Sequence, residues 1–155
     1  GSRLQNTRAH QFAMTVAIFS PLQFVWWYDR PAQYGGEPEF EFLERVPAVW
    51  DETRVLDGRI GEYAVIARRK GREWYVGCLT NEEPRTLSLP LGFLEPGVRY
   101  TAARFCDAPE PGAITDVHIA REGVTADAVL EVAMRARGGQ AIILSAEKRD
   151  AETQR

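Results

Sequence analysis

Near Asp51 the apolar residues change their period, and that change divides the chain into two kinds of structure. From Thr53 onward the pattern is period-two alternation broken by turn residues roughly every ten positions, as in runs of short antiparallel strands. The spacing predicts strands over 62–69, 73–80, 86–91, 98–105, 114–120, 129–134 and 140–145, with Leu87, Leu89 and Leu91 on one face. Lys70-Gly71-Arg72 supplies a hairpin between the first two, and Gly138-Gly139 reads as a hairpin turn between the last two. Seven or so such strands favour a β-sandwich, and a small barrel would give the same string.

Before Asp51 the pattern is different. Residues 9–28 contain no Asp, Glu, Lys or Arg. A membrane span is rejected, because Pro21 would break the helix and His10, Gln11, Thr15, Ser20 and Gln23 interrupt the apolar run. Instead, 8–19 reads as a helix packed on a sheet, 22–26 as a strand covered on both faces, and 39–46 as a short helix with Phe40 and Leu43 inward and Phe42 as a further candidate. One such strand has no parallel neighbours in these residues, which implies further strands upstream. No Lys- or Arg-led apolar run ending in small residues follows Gly1-Ser2, so no signal peptide is expected here.

The charge balance narrows the function. With 19 Lys plus Arg against 22 Asp plus Glu the net charge is −3, too even for the basic field that nucleic acid requires. The only cysteines, Cys78 and Cys106, lack the spacing of a zinc or redox motif and read as small buried hydrophobes. The only histidines, His10 and His118, are not spaced as a helical ligand pair, and both read as hydrogen-bonded core residues.

Several separated segments carry a resemblance. Thr7-Arg8-Ala9-His10-Gln11-Phe12-Ala13-Met14 and Ser20-Pro21-Leu22-Gln23 resemble the closing part of the catalytic barrel in family 97 glycoside hydrolases. The similarity continues through the run from Pro47 to Gly58, through Gly61-Glu62-Tyr63 to Gly71, and through Trp74-Tyr75-Val76-Gly77, then fades after Cys106. This resemblance implies that 1–52 is the last helix, strand and helix of a (β/α)8 barrel. It makes 53–147 a C-terminal antiparallel β-sandwich used for oligomerisation or as an accessory module, and 148–155 a flexible charged tail. The implied fold is mainly β.

The resemblance also implies a parent enzyme that hydrolyses α-glucosides or α-galactosides, with calcium in its active site and no cofactor in this chain. The family's acid, base and calcium-binding carboxylates belong to upstream segments, so no catalytic or metal-binding residue carries over. The implied partners are the rest of the barrel, the N-terminal domain, an oligosaccharide substrate and a second copy of the chain. Relatives are bacterial and often exported, which implies a periplasmic or secreted setting.

Glycoside hydrolysis needs two carboxyl groups about 5–5.5 Å apart for retention or roughly 6.5–9.5 Å for inversion. Glu37, Glu39, Glu41 and Glu44 are expected on a solvated helix start instead, and Asp51 and Glu52 in a cap or turn at the junction. Trp26, Trp27, Tyr28 and Asp29 follow the last barrel strand, where barrel active sites lie, so they are the candidates to touch sugar in the full enzyme. Burial of these aromatics against helices or the sandwich is the alternative. Arg68, Arg69, Lys70 and Arg72 read as a solvated hairpin tip. Of Trp74 and Tyr75, one is expected in the sandwich core and the other at an interdomain contact or a sugar.

Alone, the chain is expected to be inert, since one barrel strand cannot enclose a cleft. Phe12, Ile18, Phe19, Phe24 and Trp26 would then expose apolar surface unless they fold back on the sandwich. The alternative function is a stand-alone carbohydrate-binding or assembly module.

Overall fold

In the computed structural model, which describes residues 5–18, 20–23, 31–109 and 115–147, the alternating half of the chain forms eight antiparallel strands. They are β1 (Glu52–Arg59), β2 (Tyr63–Lys70), β3 (Glu73–Thr80), β4 (Arg85–Pro90), β5 (Tyr100–Asp107), β6 (Val117–Val124), β7 (Val129–Met134) and β8 (Gly139–Ala146). Six make one sheet in the order β1-β2-β3-β8-β5-β6, and β4 pairs with β7 as a second, narrow sheet. Val65, Val76, Leu89, Val132, Ile142 and Leu144 fill the space between the two sheets. The result is an open β-sandwich, with β1 and β6 as the free edges of the wide sheet.

The central strands β3 and β8 read as nearly unbroken apolar runs, because a strand covered on both faces has no solvent side. The cover on the second face is helical. Helix α1 (Arg8–Ala17) buries Ala9, Phe12, Ala13 and Val16, an i, i+3, i+4, i+7 stripe. Thr7 caps its start by accepting from the His10 N–H at 3.1 Å. Its last carbonyls are met by Arg68, whose guanidinium donates to the oxygens of Val16 and Ala17 and, at 2.7 Å, to the Thr53 hydroxyl.

The second helix, α2 (Glu41–Arg45), continues from a 3-10 turn over Pro38–Phe40 and buries Phe42. Phe12, Phe42 and Phe105 form a ring cluster with centroids 5.2, 5.3 and 6.1 Å apart, joined by Tyr75, Ala141 and Ile143 from the sheet. Close approach of α1 is possible because Gly77 and Gly139 lie beneath it. A Cβ on Gly77 would stand 2.4 Å from the Ala13 carbonyl oxygen, and one on Gly139 would stand 2.7 Å from the His10 Cα.

Two features of the sandwich differ from the expectation. Strand β1 is additional to the predicted strands. It is a mostly exposed edge strand with a bulge between Val55 and Asp57, which erases the alternation that marks a strand. Gly138-Gly139 is not a hairpin turn, since β7 pairs with β4 while β8 pairs with β3 and β5. The link crosses between sheets, and the left-handed residue in it is Arg137, with φ 57°. The two glycines serve close packing, for a Cβ on Gly138 would collide with the Asp107 carboxylate.

Of the strand expected over 22–26, Leu22 lies in a bend and Phe24–Trp26 fall outside the described residues, as do Phe19 and the tail 148–155. Phe12 folds back on the sheet and is fully buried, whereas Ile18 is exposed. Among the described residues no helix is long and apolar enough to cross a membrane.

Candidate functional site

The sugar-contact candidates Trp26, Trp27, Tyr28 and Asp29 lie outside the described residues. The carboxylates before the junction are not all solvated. Glu39 is buried and pairs with Arg8 at 2.9 Å, because the 3-10 turn tucks under the start of α1. Glu41 pairs with Arg45 and Arg121, and Glu44 is exposed.

At the junction, the Asp51 carboxylate accepts from the Gly71 N–H at 2.7 Å and from Lys70 at 3.0 Å, and Glu52 pairs with Arg54 and Arg69. The Gly71 hydrogen bond, with Lys70, holds the Asp51 carboxyl below its ordinary range. These two residues thus pin the β2–β3 turn to the start of β1. Arg68 is not part of a solvated tip, since it is buried beneath the end of α1.

His10 is hydrogen-bonded as expected, with Nδ1 2.8 Å from the Gly138 carbonyl oxygen, and is partly buried rather than in the core. His118 is not in the core either; it is exposed on edge strand β6. Burial pushes the Cys78 thiol up to about 12 and the half-buried Cys106 thiol up to about 11, so neither is a thiolate nucleophile at neutral pH. Trp74 and Tyr75 are both buried, on opposite faces of β3. Arg54 and Arg69 lie 5.2 and 5.9 Å from the Trp74 ring and Phe93 packs on it edge-to-face, which leaves no face for a sugar.

Among the described residues no group of three or more His, Cys, Asp or Glu could hold a metal ion. The resemblance implies calcium for the upstream part only, and among the described carboxylates Glu39, Asp51 and Glu52 are engaged by guanidinium, ammonium or backbone partners.

Two further arrangements stand out, one internal and one at the surface. The first is the joint between α1 and the sheet. One Asp107 oxygen accepts from the backbone N–H groups of Arg135, at 2.8 Å, and Gly139, at 3.1 Å, while the other is buried with no hydrogen-bond partner. Burial raises the Asp107 carboxyl above its ordinary range, against the lowering effect of the Thr7 hydroxyl and those N–H groups. The folded state therefore holds the Asp107 proton more tightly than the unfolded chain does. Its stabilising effect is full below the ordinary carboxylate range and is lost as pH rises through the folded value. Asp107→Asn keeps an acceptor for both N–H groups but cannot titrate. Thermal melts from pH 7 to pH 4 should show the wild type gaining on Asp107→Asn as pH falls; a constant difference would contradict this.

The second is the β1–β2 end of the sandwich. On the helix side of this strand pair, Val55, Ile60, Ala64, Ile66 and Leu79 line a shallow groove of about 530 Å³. On the other side, Leu56 and Val65 face Leu87, Leu89 and Phe93 across a slot of about 430 Å³. Arg59 pairs with Glu62 at 3.3 Å, and the Tyr63 hydroxyl donates to Asp57 at 3.2 Å. Val55 is 74% exposed and Ile60 103%.

A sandwich that locks a helix onto one face and leaves apolar grooves on both sides of one edge is a domain built to be packed against. Residues 49–145 match the family model for the glycosyl-hydrolase 97 C-terminal, oligomerisation domain, and the chain belongs to that family. It is 45% identical over 91 residues to a retaining alpha-galactosidase of Bacteroides thetaiotaomicron, a match covering 58% of this chain and 13% of that protein. A glycoside hydrolase family 97 enzyme from Pseudoalteromonas sp. strain K8, solved with acarbose, superposes with a TM-score of 0.86 at 34% identity over 94% of this chain and 23% of that one. A beta-arabinopyranosidase structure matches at a TM-score of 0.77 and 28% identity, covering 92% and 22%. The chain thus spans less than a quarter of the length of each.

Proposed function

We propose that these residues form the C-terminal part of a glycoside hydrolase acting on α-galactosides or α-glucosides. In that enzyme they brace the end of the catalytic barrel against a β-sandwich and join subunits, and the catalytic carboxylates and calcium belong to the remainder of the protein. The observation that carries this reading is the seating of α1, which the resemblance assigns to the barrel, directly on Gly77 and Gly139 of the sheet. A barrel helix fixed to the sandwich in this way passes rigidity from one domain to the other. The match to the acarbose-bound structure extends over 94% of the chain, more than the sandwich alone.

Trp26, Trp27, Tyr28 and Asp29 are the residues proposed to border the sugar in the complete enzyme, as groups that follow a terminal barrel strand. The similarity to enzymes named for galactose and for arabinose supports a scaffold role that is independent of the sugar. Burial of Trp74 removes the platform on which a stand-alone sugar-binding module would depend. An antibody raised against these residues should recover from the source cells a polypeptide several times 155 residues long. Recovery of a chain of this length alone would overturn the reading.

A further inference from the structure

We propose that the β1–β2 end of the sandwich is the surface through which a second copy of this chain docks, across a two-fold axis. The inference rests on the assembly role proposed above and gives it a location. The exposed large apolar side chains fall mostly into two groups. Ile18, Leu22, Tyr34 and Val49 belong to the segment that the resemblance joins to the barrel, so the upstream part of the parent is positioned to cover them. Val49, Val55, Ile60 and Val129 all lie inside the stretch 49–145 that matches the oligomerisation family, and of these Val55 and Ile60 stand together on one groove at the far end of the wide sheet.

That end is open on the helix side, where Val55 and Ile60 stand exposed, and the slot on its other side is lined largely by buried residues such as Val65 and Leu89. The helix-side groove and the inter-sheet slot flank the same two strands, so one partner could cover both. The opposite edge is dressed differently: β6 carries exposed His118, Arg121 and Glu122, with Glu122 paired to Arg104 and Arg121 to Glu41.

The rim of the β1–β2 grooves contains both signs of charge close together, in Asp57, Arg59 and Glu62. A two-fold contact places each patch against itself, and a patch with both signs can then exchange its Arg59–Glu62 pairs between copies. A single-sign rim would repel its own image. The bulge in β1 argues against simple strand-to-strand extension and for contact through side chains.

Sedimentation equilibrium on the 155-residue chain tests this, with Val55→Arg and Ile60→Glu as interface variants and Ile18→Arg and Val129→Arg as comparisons. All four residues are more than half exposed, so each variant should keep the native circular dichroism spectrum. The wild type is expected to dimerise, with Val55→Arg and Ile60→Glu weakening association by about 100-fold or more and the comparison variants leaving it unchanged. Dimerisation that survives both interface variants, or that Ile18→Arg abolishes, would overturn the location while leaving the assembly role standing. A wild type that stays monomeric at every concentration would overturn the assembly role and the location together.

Discussion

Gly77→Val is expected to lift α1 off the sheet. The added Cβ would meet the Ala13 carbonyl oxygen at 2.4 Å and the Val16 Cβ at 3.1 Å, and the first of these is helix backbone, which cannot rotate away. The helix must move or the strand must bend. The overpacking cost is about 1–3 kcal/mol, and any outward shift adds the partial loss of burial at Phe12 and Val16. Urea unfolding should show a loss of about 3 kcal/mol or more, together with binding of a hydrophobic dye to the uncovered sheet. Gly92→Ala is the matched comparison, since a Cβ there meets nothing within 4 Å. An unchanged midpoint for Gly77→Val would mean that α1 is not seated on β3.

Phe12→Ala removes the side chain on which the helical side of the molecule is built. Phe12 is fully buried and touches Phe42 from α2 and Phe105 from β5, so its ring joins three segments far apart in sequence. Truncation leaves a cavity bounded by elements that are themselves pinned, by Arg68 at the end of α1 and by the Arg8–Glu39 pair at its start. Little collapse is then available, and the expected loss is about 3–5 kcal/mol in equilibrium unfolding. A loss below about 1 kcal/mol would show that the ring cluster is loosely packed.

How much of this was legible in the sequence depended on whether the signal was local. Strands β3 and β7 lie where the alternation and the apolar runs place them, because their burial is set by neighbours on fixed faces. Strand β1 escaped because an exposed, bulged edge strand carries little apolar signal. The link between β7 and β8 was misread because glycine pairs serve turns and close contacts alike, and only the pairing partners tell them apart. The hidden charges are the clearest case. Nothing near Glu39 or Arg68 announces burial, since their partners lie 31 residues away at Arg8 and 52 residues away at Val16. The exposure of His118 follows from its edge position, which alternation alone does not reveal.

The proposed scaffold role agrees with the chain's similarity to enzymes named for different sugars. The domain's helical side is covered by α1 and α2, and the β1–β2 groove is lined by Val55, Ile60, Ala64, Ile66 and Leu79. On the proposed function the chemistry resides in the upstream part of the enzyme, and the C-terminal sandwich supplies support and contact between copies.

The most direct test of that division sets the polypeptide recovered from source cells beside the isolated 155-residue chain, at equal molar concentration, with aryl α-galactoside and α-glucoside as substrates. The account predicts hydrolysis by the longer polypeptide and none above the buffer rate by the chain alone. Turnover by the isolated chain, in proportion to its concentration, would contradict it.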